Sequence, residues 1–276
     1  MMISKQTLFA ILLVLATSLS LGCERKEEVP SPTDPPWKPA GTEANITGRV
    51  SFTGVDAMPA TPAPAKMDMS QDPACLGSGD SASDEVMTKD GKLRNVFIYV
   101  KSGLPKVSFE VPATEVVLDQ KGCKFSPRVL GLQAGQTLSI SNSDQTNHNV
   151  HPVPKANREW NQSQMAGQGP IRRKFTSVEG LFPVKCNMHP WMLAWISVLP
   201  HPFFAVSGQD GAYTIKGLPP GEYEVVAWHE KFGARTGKAL VKPNTDANLD
   251  FSFDGSATKA EGHTGTLKMQ PALVLP

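Results

Sequence analysis

Seven consecutive residues, Cys186-Asn187-Met188-His189-Pro190-Trp191-Met192, place a thiol, an imidazole and a thioether in a C-x2-H-x2-M loop. Two histidines and a cysteine in a trigonal plane, with a weak axial methionine, are the donor set of an electron-transfer copper. The loop lacks one imidazole. Asn147-His148-Asn149-Val150-His151 offers it, just after an extended segment from Gly135 to Ser141. Zinc is disfavoured, because methionine is a poor zinc ligand. A dinuclear copper loop needs two cysteines, and here only Cys186 is present.

Donors from distant segments need a rigid frame, and the sequence predicts strands for it. Ile46–Phe52, Asn95–Val100, Val116–Leu118, Thr137–Ile140 and Ala194–Leu199 are rich in β-branched or aromatic residues, with Gly, Pro, Asn and Asp between them. Beyond the N-terminal leader no stretch sustains an apolar 3.6-residue period, so the expectation is an all-β, sandwich-like fold with little helix. Residues 57–69, rich in Pro, Ala and Met, read as a loop. Its Met58, Met67 and Met69 could bind copper(I), but their spacing does not repeat, which favours methionines without a role. The tail 255–276 reads as polar and structureless.

Phe125-x-Pro127, the run from Gly135 to Asn142, His148-Asn149-Val150-His151 and the cysteine loop occur in the order found in cupredoxins. Residues 112–200 therefore resemble a cupredoxin domain, with an amicyanin-like copper loop shorter than that of plastocyanin. The resemblance implies a Greek-key sandwich with one type 1 (blue) copper held by His148, Cys186, His189 and Met192. It assigns Asn149 to tying the two ligand loops together. It also implies that His189 is the solvent-edge ligand, ringed by an apolar docking surface of Met188, Pro190 and Trp191. His151 is the spare imidazole. Its odd offset from His148 along a strand turns it to the other face. Amicyanin has proline where Met188 stands, and the free Met188 amide is expected to donate to the cysteine sulfur, favouring the reduced state.

Downstream, Asp210-Gly211-Ala212-Tyr213 and Leu218-Pro219-Pro220-Gly221-Glu222-Tyr223 resemble the carboxypeptidase regulatory-like, transthyretin-like β-sandwich. Its early strands match segments before the copper module. The expected architecture is thus a sandwich from residues 45–105 and 202–254 with the cupredoxin 112–200 inserted, since Val206 to Val241 alone offers too few strands. Two tandem domains are the simpler alternative. His229-Glu230 reads as structural, and no Ser-His-Asp or H-E-x-x-H pattern points to hydrolysis. The chain is not expected to be an enzyme. An oxidase or reductase would need a second copper bound by many histidines, and there are six in all.

The N-terminus, residues 1–22, has Lys5 and then an apolar run from Leu8 to Leu21, which reads as a secretory signal peptide. Leu19-Ser20-Leu21-Gly22-Cys23 resembles a bacterial lipobox, implying acylation of Cys23 and an exported lipoprotein, periplasm-facing or in the outer membrane. Residues 23–44 read as a Pro-rich tether. With Cys23 given to lipid and Cys186 to copper, Cys75 and Cys123 remain as a disulfide in an oxidising compartment, two buried thiols being the alternative. The 27 basic and 26 acidic residues are mixed along the chain, which excludes a nucleic-acid stripe. Expected partners are the membrane, through the lipid anchor, and envelope redox proteins: a dehydrogenase, a cytochrome or an oxidase. The rival functions are copper handling and a scaffold or adhesion sandwich in which copper is incidental.

Overall fold

The computed structural model describes residues 33–53, 66–76 and 81–255; the signal segment, Cys23, Met58 and the tail beyond 255 lie outside them. The described chain is all-β. Four strands precede the copper segment: β1 (Ala44–Thr53), β2 (Thr88–Lys89), β3 (Lys92–Leu93) and β4 (Phe97–Ser102). The segment itself holds β5 (Val116–Gln120), β6 (Phe125–Ser126), β7 (Val129–Gln133), β8 (Thr137–Asn142), β9 (His148–Pro152), β10 (Gln162–Gln164), β11 (Ile171–Lys174), β12 (Glu179–Lys185) and β13 (Leu193–Leu199). After it come β14 (Phe204–Val206), β15 (Ala212–Leu218), β16 (Gly221–His229), β17 (Gly233–Val241), β18 (Ala247–Asn248) and β19 (Phe251–Asp254). A single helical turn, α1 (Pro73–Leu76), is the only helix among the described residues.

Strands β5 to β13 pair only with one another, in the sheets β10-β9-β12-β13-β7 and β11-β8-β5-β6. The strands before and after them share the other two sheets, β15-β1-β3-β2 with β18 and β19 also on β1, and β14-β4-β16-β17. β1 shows the ordinary half-buried alternation: Ala44, Ile46, Val50 and Phe52 point inward while Arg49 and Thr53 face water. Gly48 shares that inward face, where a Cβ would stand 1.9 Å from the Leu249 carbonyl oxygen.

β4 does not alternate, because both of its faces are covered. Ile98 and Val100 enter the core of one sandwich, and Phe97 and Tyr99 face the other. β13 does the same from the opposite side, with Ala194, Ile196 and Val198 in the copper-segment core and Leu199 in the seam beside Trp195. This is why both read as continuous apolar runs. Within the copper segment Leu118, Leu132, Leu138 and Ile140 are fully buried, each contributing about 1.5–3 kcal/mol. At the seam a Cβ on Gly131 would lie 2.5 Å from the Phe204 ring and 2.9 Å from that of Phe97, so glycine permits the close approach. Beside it the buried Arg128 guanidinium is clamped between Asp84 and Glu230, and Glu230 also accepts the Trp195 indole N–H at 3.0 Å.

Two loop readings need correction. Part of the expected tether, residues 33–44, lies against the body: Trp37 packs on Phe109 and Phe203, and its amide donates to the Ser108 carbonyl. Met69, read as a loop methionine without a role, is buried in the copper-segment core, with Met67 packed against it. Packing there removes the apolar surface of Met69 from water, which a composition-based loop reading does not register.

Candidate metal centre

The β8–β9 connection begins with an Asx turn, in which Asn142 Oδ1 accepts the Asp144 amide at 3.1 Å, and leads into β9 with His148 as its first residue. His148 is fully buried. The second donor loop closes between β12 and β13, where the Met192 amide donates to the His189 carbonyl at 2.9 Å and the Cys186 amide to the Met192 carbonyl at 3.4 Å. That tight turn brings Cys186 and His189 to one side. Donor atoms of His148, Cys186 and His189 all lie within 4.8 Å of one another. The two Nδ1 atoms are 2.8 Å apart, and the Cys186 sulfur is 3.8 Å from His189 Nδ1. Met192 is buried in the same apolar cluster as Cys186.

Asn149 bridges the two loops. Its Oδ1 accepts the amides of Asn187 at 2.7 Å and Met188 at 3.2 Å and the Cys186 thiol at 3.4 Å, while its own amide donates to that sulfur at 3.5 Å. The Met188 amide, expected on the sulfur, is shared between Asn149 Oδ1 and the Cys186 sulfur, whose pKa it helps to lower. Burial raises the Cys186 pKa, but the contact with His148 and the amides of Asn149, His189 and Met188 outweigh it and lower it overall. A polarised thiol, two inward Nδ1 atoms and a buried thioether at the loop end suit copper.

Two carboxylates were missed in the sequence. Asp144 Oδ2 takes the His148 Nε2–H at 2.9 Å and the Cys123 amide at 2.8 Å; Oδ1 takes the Gly122 amide at 2.6 Å. Burial would depress His148, yet Asp144 and Cys186 raise its pKa to about 9. Asp144 stands four residues before His148, an offset that could have drawn notice. Asp72 Oδ2 takes the His189 Nε2–H at 3.0 Å, and nothing local in the sequence points to it. His189 has its pKa lowered, chiefly by burial and against the pull of Asp72.

The resemblance puts His189 at the solvent edge, and here it is 3% exposed. The segment carrying Asp72 and α1 covers it, fastened by the Cys75–Cys123 disulfide with Cα atoms 5.6 Å apart. Of the residues expected around it, Met188 and Pro190 are exposed, whereas Trp191 is half-buried and donates its indole N–H to the Cys123 carbonyl. His151 stays outside the cluster, between Asn187 and Glu159.

Among solved structures the chain is similar to copper proteins. It is 21% identical to a copper-containing nitrite reductase from Thermus scotoductus SA-01 over 35% of this chain and 25% of that one, with a TM-score of 0.29. The chain thus spans about a quarter of that enzyme's length. A Cu(I) variant of amicyanin matches at 22% identity over 37% of this chain and 97% of its own, with a TM-score of 0.28. A purple cupredoxin from Nitrosopumilus maritimus matches at 23% identity over 27% and 81%, with a TM-score of 0.24. No family model and no curated protein matches. At these identities the likenesses assign no activity.

Proposed function

We propose that the protein carries single electrons in the bacterial envelope on one type 1 copper, held by His148, Cys186, His189 and Met192. The observation that carries this reading is the convergence of three buried donors, one of them a thiol, within 4.8 Å. Bound copper would supply the one-electron couple. The chain's residues keep the donors in place: Asn149 fixes the loops, and Asp144 leaves His148 Nδ1 turned inward. A copper-handling role calls for an open, exchangeable site, and the burial of all three donors argues against it. Voltammetry of the copper-loaded protein tests the choice. A reversible one-electron wave supports the carrier; copper lost on each reduction supports handling.

The strand pairing supports a regulatory-like sandwich, residues 45–105 and 202–254, that hosts the cupredoxin as an insert between β4 and β14. Acylation at Cys23 would hold both modules on a membrane, and redox proteins of the envelope would be the donors and acceptors. Incorporation of labelled palmitate that disappears in Cys23→Ser is the expected mark of the anchor.

A further inference from the structure

The covering segment comes from outside the strands that carry the donors, yet it reaches one of them through a side chain. Asp72 sits just before α1 and its Oδ1 accepts the Ala74 amide at 2.9 Å, as an N-cap does. Its Oδ2 accepts both the Thr146 hydroxyl at 2.7 Å and His189 Nε2–H at 3.0 Å. Three residues on, Cys75 is bonded to Cys123, and its sulfur lies 3.8 Å from the same His189 Nε2. The Cys123 amide in turn holds Asp144, the partner of His148. One covalent link therefore ties the covering segment to the carboxylate partners of both imidazoles.

We propose that Asp72 is a positioning residue for His189, and that the Cys75–Cys123 disulfide is the lock that delivers it. The chemistry is that of a carboxylate behind a ligand imidazole. An ionised carboxylate only accepts, so it requires the proton on Nε2 and leaves the Nδ1 lone pair facing Cys186 and His148. Without it, His189 Nε2 keeps only the 3.8 Å contact with the Cys75 sulfur, a weak acceptor, and the ring can turn or exchange tautomers. The proposal rests on the copper reading for its purpose, but the positioning belongs to the chain alone.

The test compares the full-length chain with Asp72→Ala, Asp72→Asn, Cys75→Ser/Cys123→Ser and the combination of Asp72→Ala with the double serine change. The first readout needs no metal: 15N spectra of the His189 ring at one fixed pH. The unaltered protein should show a single tautomer with the proton on Nε2, Asp72→Ala a mixture, and Asp72→Asn, which keeps an acceptor oxygen, a partial return. The second readout is the rate at which copper(I) passes to bicinchoninate, expected to rise about 10–100-fold in Asp72→Ala. Because both changes break one contact, the combined variant should be no faster than the worse of its parents. Should a variant fold poorly, Thr146→Val, which removes only the second partner of Asp72, should loosen the ring less. An unchanged His189 spectrum in Asp72→Ala, or additive effects of the two changes, would overturn the proposal. Failure of the unaltered protein to bind copper would instead overturn the copper reading, with the spectral arm still deciding the positioning.

Discussion

Each of the two sandwiches buries histidines, and they treat them in opposite ways. In the flanking sandwich His229 is as fully buried as His148 is in the copper segment. Burial, with the nearby Arg128 and Lys231 charges, pushes His229 down to about 3, and burial takes His201 to about 4 against its backbone hydrogen bonds. His148, with Asp144 on one nitrogen, goes up to about 9. Burial is common to both, so the groups facing the ring nitrogens make the difference. His229 stacks on Phe232 with its Nε2 unpartnered, and His201 donates to the Val100 carbonyl at 3.0 Å while accepting the Phe203 amide. They serve as packing. In the copper segment each carboxylate holds a ring by its Nε2 and turns the Nδ1 atoms toward each other.

The largest expected consequence is a metal-free protein in which the buried histidines of the two sandwiches move stability in opposite directions with pH. His201 and His229 have depressed folded pKa values, so their contribution is present above the ordinary 6.5. It erodes as pH drops below that and is lost through about 4 and 3. His148 has a raised value, so its contribution is full below 6.5 and lost as pH climbs through about 9. Urea midpoints against pH should show both limbs. His229→Phe should weaken the acid limb and leave the alkaline one, while His148→Phe should weaken the alkaline limb and, by releasing Asp144, part of the acid one; an alkaline limb unchanged in His148→Phe would erase the comparison.

Next in size is the seam between the sandwiches. Arg128→Met leaves the buried Glu230 carboxylate and the half-buried Asp84 without their shared cation and should cost about 3–5 kcal/mol in urea unfolding. It also removes one of the charges depressing His229, whose pKa should rise in an NMR titration. Smaller again, Gly131→Ala presses a methyl group onto the rings of Phe204 and Phe97, for about 1–3 kcal/mol. If the seam alone absorbs that strain, the His148 and His189 resonances should not move.

The convergence of His148, Cys186 and His189 was legible because two of them share a seven-residue loop and the third sits in a recognisable run. The disulfide followed from elimination and is present. Asp72 was not legible, since it reaches His189 across 117 residues of sequence from outside every motif that the sequence offers. The same contact explains why the resemblance misplaced the His189 edge: the cover belongs to this chain's flanking segments. The all-β class was legible from β-branched runs and turn residues. Strands β10, β11 and β12 were not, because the polar Gln162–Gln164 and Arg172–Lys174 and the Pro183 within β12 hide their extended form.

The central claim is that Cys186 and two inward imidazoles hold a redox copper, and its most direct test is visible absorption of the copper(II)-loaded protein beside Cys186→Ala. The account predicts an intense blue thiolate-to-copper band that ascorbate bleaches, air restores and the variant lacks. A colourless protein, or a band that survives in Cys186→Ala, would contradict it.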